Sequence, residues 1–219
     1  MNATLYASIC QQKARGEKQF VVLIDPDEVH PDRLDQLVFL AEQANVDAFF
    51  IGGSLILKDH LSACIKAIKG ISEIPVYLFP GSIIQVSDEA DAILYLSLIS
   101  GRNPDLLIGR QIEAAPFLFD RKLEVIPTGY MLVDGGAPTS ASYMSHTLPI
   151  PHDKPDIALC TAMAGELLGL RLIYMDSGSG AKQSVSPEMI KRVSSKINIP
   201  IIVGGGIRTP EAAIQAANA

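Results

Sequence analysis

The sequence predicts an α/β fold of the TIM (β/α)8-barrel type, in which parallel strands alternate with helices. Short apolar runs, typical of strands buried on both faces, alternate with segments whose apolar residues recur at helical spacing. Glycines and carboxylates follow directly after these runs, and the active sites of TIM barrels lie at that end of the strands. We expect one domain over residues 1–219, with one shortened helix and without the eighth βα unit.

Seven apolar runs are interpreted as strands. They are Phe20–Asp25, Asp47–Ile51, Pro75–Phe79, Ala92–Ser97, Leu123–Tyr130, Leu172–Asp176 and Pro200–Val203. Helices are predicted at Leu5–Arg15, from Pro31, at Leu55–Lys69, Pro104–Phe119 and Asp156–Leu170, and from Pro187 and Pro210. The connection between the third and fourth strands is short and polar, so its helix should be shortened. A flavodoxin-like open sheet is the alternative, but about five strands suffice there.

Composition excludes several classes of protein. Of the 219 residues, 48% are apolar, which fits a chain with a large core rather than a disordered one. The net charge of −6 argues against a nucleic-acid surface, which needs a basic stripe. The cysteines, Cys10, Cys64 and Cys160, lie far apart and are expected to be reduced core thiols. Neither a signal peptide nor a bilayer-spanning apolar run is present in the sequence, so we expect a cytoplasmic protein.

Two glycine-rich segments indicate a phosphate-binding site. Leu172–Ala181 and Ile201–Pro210 each pass from an apolar run into glycines and hydroxyl residues, and a helix opened by proline follows each. Glycine lets backbone N–H groups approach an anion closely, and a helix N-terminus adds a favourable field. One such turn could merely form a tight corner. Two together, beside the carboxylate of Asp176, favour a ligand site.

A long connection separates the fifth predicted strand from the helix at Asp156–Leu170. Val133–Lys154 contains prolines, two adjacent glycines and many hydroxyl residues. Since connections of this length in compact domains usually have a function, we expect a lid or a segment that contacts substrate.

Four short motifs stand in order along nearly the whole chain. They are Ile24–Asp27 (IDPD), Ile51–Ser54 (IGGS), Tyr174–Gly180 (YMDSGSG) and Val203–Arg208 (VGGGIR). In this order they resemble the geranylgeranylglyceryl phosphate synthase family, also called the PcrB-like family. The chain is similar to the branch with an apolar residue, here Leu23 or Ile24, where the PcrB branch has lysine. The resemblance implies a TIM barrel that joins sn-glycerol 1-phosphate to a prenyl diphosphate with Mg²⁺.

The resemblance also assigns roles to individual residues. Asp25 and Ser54 take the Mg²⁺-binding positions, and Asp176 and Tyr174 become the candidate catalytic residues. The implied glycerol-phosphate site comprises Tyr174, Met175, Asp176, Ser177, Gly178, Ser179, Gly180, Gly204 and Gly205. Mg²⁺ prefers oxygen ligands and keeps several waters, so a carboxylate and a hydroxyl, completed by diphosphate oxygens, are adequate. The alternative for Asp25 is a cap of the following turn, and Gly-Gly-Ser is also common turn chemistry.

Two departures from the family pattern stand out. Asp176 replaces the usual glutamate and is one methylene shorter, which reduces its reach as a base toward the glycerol hydroxyl. The family's eighth strand carries a Gly-Asn pair that completes the phosphate site, and no such pair follows the seventh strand before Ala219.

We therefore expect a prenyltransferase of ether phospholipid biosynthesis that uses geranylgeranyl diphosphate or another chain length, such as heptaprenyl. Candidate residues for lining an apolar groove are Phe79, Ile83, Ile84, Tyr95 and Leu96. Transient contact with a membrane surface would accompany use of a lipid substrate. One rival is a phosphate-sugar isomerase or aldolase-type barrel, for which Lys182 is the only lysine just past a strand-end motif. A second is a non-catalytic binder of a phosphate ligand.

Self-association is a further expectation. The helix at Ile157–Leu170 carries little charge, and the resemblance implies dimers or hexamers. Its apolar residues are Ala158, Leu159, Ala162, Met163, Leu167 and Leu168. Together they present more apolar surface than packing against one face of a barrel should require, and exposed apolar patches often mark interfaces.

Overall fold

The computed structural model describes residues 4–58 and 60–219, which form helices and parallel strands in two compact units. The first unit runs to Tyr95 and includes Glu113–Ile126, and the second comprises Leu96–Ile112 and Pro127–Ala219. The strands are β1 (Val21–Ile24), β2 (Ala48–Ile51), β3 (Val76–Leu78), β4 (Ala92–Leu98), β5 (Glu124–Leu132), β6 (Leu172–Asp176) and β7 (Ile201–Gly204). The helices are α1 (Leu5–Ala14), α2 (Pro31–Gln43), α3 (Leu61–Ile71), α4 (Arg110–Leu118), α5 (Ser140–Ser145), α6 (Pro155–Leu167), α7 (Pro187–Ser194) and α8 (Pro210–Asn218).

In the first unit, neighbouring strands are parallel and follow sequence order. β1 pairs with β2, β2 with β3, and β3 with the start of β4. A flavodoxin-like sheet would instead place β1 beside β3, so this order excludes that alternative. Ile24, Phe49 and Leu78 from the strands share a core cluster with Ile65 and Ile68 of α3. Because β1 ends at Ile24 and β2 at Ile51, Asp25 and Gly52 lie at the carboxyl ends of these packed strands.

In the second unit, β5, β6 and β7 are likewise parallel and adjacent in order. Met131, Ile173 and Met175 of β5 and β6 share a core cluster with Met189 and Val193 of α7. The carboxyl ends of β6 and β7 coincide, because Asp176 pairs with Gly204. The α/β class and the parallel strands predicted from sequence are confirmed.

Helix α3 begins at Leu61, six residues later than the prediction of Leu55. Residues 55–58 are not helical, because the carboxylate of Asp27 accepts hydrogen bonds from the backbone N–H groups of Leu57 and Lys58. A side chain from the turn after β1 thus holds this stretch in a non-helical path. Asp59 lies outside the described residues.

The segment Val133–Lys154 is more ordered than a loop. It contains α5, whose N-cap Thr139 and residue Ser142 form a reciprocal capping box. Backbone hydrogen bonds also fasten its ends, since Val133 N–H donates to Asp176 and Ile150 N–H donates to Leu132. The sequence prediction missed both the helix and these anchors.

The other helix and strand boundaries lie closer to the predicted ones. The helix predicted at Pro104–Phe119 begins as a π-helical stretch, Asp105–Gly109, before continuing as α4. Strand β5 extends to Leu132, two residues beyond the prediction. Residues 79–91, between β3 and β4, contain turns and bends.

The apolar residues predicted to form a patch on α6 are partly buried and partly exposed. Ala158, Leu159 and Ala162 are buried in the second unit's core, so the expectation that they form an exposed patch was wrong. Leu167 and Leu168, at the C-terminal end, are 86% and 79% exposed. Cys160 is also exposed rather than a core thiol, whereas Cys10 and Cys64 are partly buried.

Among the described residues, no helix is both long enough and apolar enough to span a membrane.

Candidate active site

Glycine turns and a carboxylate at the ends of β1 and β2 form a candidate metal half-site in the first unit. We define it by Asp25, Gly52, Gly53 and Ser54. The Asp25 side chain is partly exposed, and its Oδ1 accepts a hydrogen bond of 2.9 Å from the backbone N–H of Asp27. Its Oδ2 accepts none from the residues that the structure describes. Asp25 therefore does shape the following turn, and one oxygen is left for a ligand.

The two glycines place this carboxylate. A Cβ atom at Gly53 would lie 2.8 Å from Asp25 Oδ2, and one at Gly52 would lie 2.0 Å from the carbonyl oxygen of Phe79. Only glycine therefore lets β2 end this close to both neighbours. Ser54 follows immediately and is partly buried.

The donor set of this half-site fits Mg²⁺. Across residues 4–58 and 60–219, no group of three or more His, Cys, Asp or Glu side chains is arranged to hold a metal ion. A single carboxylate after β1 and a hydroxyl after the adjacent strand β2 suit a cation that keeps waters and takes its remaining ligands from substrate phosphates. The oxygen donors of Asp25 and Ser54 are thus compatible with the Mg²⁺-binding roles predicted for them.

The second half-site, in the second unit, surrounds Asp176 at the end of β6. We call it the phosphate half-site and define it by Tyr174–Gly180 and Gly204–Gly206. Asp176 is only 7% exposed. Its Oδ1 accepts a hydrogen bond of 2.6 Å from Gly178 N–H, and its Oδ2 accepts one of 2.6 Å from the hydroxyl of Tyr130.

Burial and hydrogen bonding shift the pKa of the Asp176 carboxyl in opposite directions. Burial raises the pKa of its carboxyl above the ordinary value, while the bonds from Tyr130 and Gly178 lower it. Burial also raises the pKa of Tyr130 well above its usual value, and the nearby Asp176 raises it further. Tyr130 is therefore protonated at neutral pH and can donate to the carboxylate. Sequence reasoning missed Tyr130, because its pairing with Tyr174 across β5 and β6 is not visible in either motif.

Tyr174 packs against the end of β7. Its ring is 5.8 Å from that of Tyr130, and a Cβ atom at Gly204 would lie 2.5 Å from its hydroxyl oxygen. Burial raises the pKa of Tyr174, and the charge of Asp176 adds to the effect. Two protonated phenols thus stand beside one carboxylate.

The glycine loops of this half-site present backbone donors. Gly178, Gly180, Gly205 and Gly206 have φ between +68° and +85°, a region that favours glycine. A Cβ atom at Gly205 would lie 2.5 Å from the nitrogen of Gly178. The N–H groups of Ser179, Gly180, Gly205 and Gly206 donate to none of the described residues. Backbone N–H groups in glycine loops at strand ends, with no acceptor among the described residues, suit a phosphate.

The remaining predicted residues divide by burial. Met175, Ser177 and Gly178 are buried, and Ser179 is exposed. Met175 lies in the second unit's core, so it supports the strand rather than facing a ligand. The hydroxyl of Ser177 is buried without a hydrogen-bond partner among the described residues.

Some of the residues predicted to line an apolar groove pack against the hydrophobic core. In the first unit, Ile83 and Tyr95 pack against the core cluster, and the Phe79 ring stacks on Phe50 at 6.2 Å. Ile84 is 78% exposed. In the second unit, Leu96 is partly buried.

A parallel α/β fold with carboxylates and glycine loops at its strand ends is typical of enzymes that bind phosphorylated substrates. The PcrB family model matches residues 12–219. The geranylgeranylglyceryl phosphate synthase of Chitinophaga pinensis is 54% identical over 213 residues, which cover 97% of this chain and 84% of that protein. That of Spirosoma linguale is 51% identical over 94% of this chain and 83% of its own length.

A solved structure is similar over nearly the whole chain. The (S)-3-O-geranylgeranylglyceryl phosphate synthase of Thermoplasma acidophilum, in complex with its substrate sn-glycerol 1-phosphate, is 35% identical. The match has a TM-score of 0.92 and covers 98% of this chain and 86% of that one. The chain belongs to the PcrB family, as its four motifs predicted.

Proposed function

We propose that this chain is a Mg²⁺-dependent prenyltransferase that joins the 3-hydroxyl of sn-glycerol 1-phosphate to geranylgeranyl diphosphate. The observation that carries the proposal is the buried Asp176 carboxylate, hydrogen-bonded to Tyr130 and flanked by glycine loops with N–H groups available to a phosphate. The names of the relatives and the substrate in the Thermoplasma acidophilum complex support it. The product would be geranylgeranylglyceryl phosphate.

The second unit would bind the acceptor. The N–H groups of Ser179, Gly180, Gly205 and Gly206 would hold the phosphate, and Tyr174 and Asp176 would orient the glycerol hydroxyls. During transfer, the bond from C1 of the prenyl chain to the diphosphate breaks and a bond to the glycerol oxygen forms. Asp176 would take the hydroxyl proton, since each carboxylate oxygen can accept more than one hydrogen bond.

The first unit would bind the diphosphate. Asp25 and Ser54 would hold Mg²⁺ together with diphosphate oxygens. Bound there, the cation would offset the charge that develops on the leaving pyrophosphate. The groove residues Phe79, Ile83, Ile84, Tyr95 and Leu96 remain the candidates for contacting the prenyl chain.

The rival aldolase-type chemistry finds little support in the geometry. A lysine that forms a Schiff base is usually desolvated, which lowers its pKa. Lys182 is exposed, and its backbone N–H is used to fasten the loop to Gly135. The non-catalytic alternative does not explain why a carboxylate is buried beside two tyrosines.

An assay of product formation tests the proposal. The protein is incubated with sn-glycerol 1-phosphate, Mg²⁺ and prenyl diphosphates of increasing length, and the products are identified by mass spectrometry. We expect an ether lipid phosphate, with geranylgeranyl diphosphate the preferred donor. Failure to form product with any prenyl length would overturn the proposal, and incubation with sn-glycerol 3-phosphate serves as the control.

Further properties go with this proposal. We propose that the chain self-associates through the exposed end of α6, where Leu167 and Leu168 lie. A cytoplasmic location and transient contact with the membrane surface remain predictions.

A further inference from the structure

Gln85 stands out among the residues that the motifs did not include. It lies in the turns between β3 and β4 and is only 3% exposed. Its Oε1 accepts hydrogen bonds from the N–H groups of Gly53, at 3.4 Å, and Gly81, at 3.1 Å. Its Nε2 donates to the carbonyl oxygen of Gly53 at 2.9 Å. A buried amide is costly unless it is hydrogen-bonded, and here its bonds go to two glycine turns.

The peptide groups of Gly53 are held from two sides. Gln85 bonds both its N–H and its carbonyl, and the Asp25 carboxylate packs against its Cα, where a Cβ atom would lie 2.8 Å from Oδ2. Gly81 closes the arrangement, because a Cβ atom there would lie 2.3 Å from Gly53 O and 2.9 Å from Ser54 Cα. Gln85 therefore fixes the backbone that carries Ser54 and supports Asp25.

We infer that Gln85 is a positioning residue for the Mg²⁺-diphosphate half-site, an inference that rests on the proposed function. Gln85 supplies no ligand to the cation. It holds the backbone of Gly53, which lies against Asp25 and leads directly into Ser54, in one conformation. Mg²⁺ demands near-octahedral geometry, so a loosened turn weakens binding even when both ligands remain. Loss of such supporting hydrogen bonds typically costs about 10- to 100-fold in metal affinity.

The variant Gln85→Met tests this role, because methionine has a similar length and flexibility but makes none of the three hydrogen bonds. Ser87→Ala is the matched control: Ser87 is also buried in the same segment, but its hydroxyl bonds Ser62. Calorimetry would measure binding of Mg²⁺ with inorganic pyrophosphate, and separately of sn-glycerol 1-phosphate. Thermal unfolding would show whether each variant is folded. If Gln85→Met does not fold, Gln85→Asn, which keeps an amide on a shorter side chain, takes its place.

We expect Gln85→Met to weaken binding of Mg²⁺ with pyrophosphate by about tenfold or more. The affinity of Gln85→Met for sn-glycerol 1-phosphate should stay close to that of the parent protein. In Ser87→Ala, the affinities for Mg²⁺ with pyrophosphate and for sn-glycerol 1-phosphate should both stay close to those of the parent. In turnover assays, KM for the prenyl diphosphate should rise while KM for glycerol 1-phosphate does not.

Two results would overturn the positioning role while leaving the proposed function intact. One is unchanged affinity of Gln85→Met for Mg²⁺ with pyrophosphate. The other is an equal loss of affinity for both ligands, which would indicate general disruption of the structure. If the parent protein itself does not bind Mg²⁺ with pyrophosphate, the proposed function fails and the role of Gln85 fails with it.

Discussion

Asp176 shows at the scale of one residue how a functional group opposes stability. Its carboxyl is buried, and burial raises its pKa despite hydrogen bonds from Tyr130 and Gly178. A carboxyl whose pKa is raised by folding binds its proton more tightly in the folded chain than in the unfolded one. Its contribution to stability is therefore complete below the ordinary carboxyl pKa and is lost as the pH rises through the raised value.

The substitution Asp176→Asn should separate activity from stability. Asparagine can still accept from Gly178 N–H and can donate to the Tyr130 oxygen, so the fold is preserved without a buried charge. We expect turnover to fall by about 10²- to 10⁴-fold, since a proton acceptor is lost. At neutral pH the variant should be at least as stable as the parent, each kcal/mol of difference raising Tm by about 2–4 °C.

Thermal unfolding of both proteins from pH 3 to pH 8 provides the check. The Tm difference should be smallest at the acidic end and should grow in favour of Asp176→Asn as the parent carboxyl ionises. A variant whose Tm falls below that of the parent increasingly as the pH rises would show that the charge of Asp176 stabilises the fold. Near-normal turnover would remove Asp176 from the chemistry.

At the scale of elements, the fold could largely be predicted because parallel strands read as continuous apolar runs. What could not be predicted depends on contacts distant in sequence. The start of α3 is set by the carboxylate of Asp27, some 30 residues earlier. The bond from Tyr130 to Asp176 spans 46 residues. Gln85 gave no signal in sequence, because a single glutamine among turn residues resembles any polar surface position.

The predicted site shows the same division. The motifs supplied Asp25, Ser54 and the glycine loops, because glycine and carboxylate chemistry is local. They could not show that Met175 faces the core or that Ala158 and Ala162 of α6 are buried, because that depends on which face packs against a neighbour.

The exposed end of α6 leads to a prediction about self-association. Replacing Leu167 and Leu168 by glutamate places two charges on a surface that we propose to be buried between copies of the chain. Light scattering at micromolar concentration should then show the mass of a single chain, against a larger mass for the parent protein. The matched control replaces Phe39 and Leu40 of α2, which are 58% and 54% exposed. A monomeric parent protein, or loss of association only in the control, would contradict the prediction.

At the scale of the whole molecule, each compact unit carries one half-site with its own chemistry. The first offers oxygen donors suited to Mg²⁺, at Asp25 and Ser54. The second offers backbone N–H groups, phenols and a carboxylate suited to a phosphorylated polyol. The proposed function therefore assigns one substrate to each unit, and the two assignments can be tested separately.

Two substitutions should affect one ligand each. Asp25→Asn keeps the acceptor for Asp27 N–H but removes the charge that offsets a dication, so the turn should survive. The φ of Gly204 is one that alanine can adopt, so Gly204→Ala causes no backbone strain. The new Cβ atom would lie 2.5 Å from the hydroxyl oxygen of Tyr174 and would therefore displace it. The first should impair the metal half-site and the second the phosphate half-site.

The most direct measurement is calorimetric titration of both variants and the parent protein with Mg²⁺ plus inorganic pyrophosphate, and with sn-glycerol 1-phosphate. We predict that Asp25→Asn weakens only the binding of Mg²⁺ with pyrophosphate, by about tenfold or more, and that Gly204→Ala weakens only the binding of glycerol phosphate. If Asp25→Asn bound Mg²⁺ with pyrophosphate as the parent does, or if either variant lost both ligands equally, the assignment of one substrate to each half-site would be wrong.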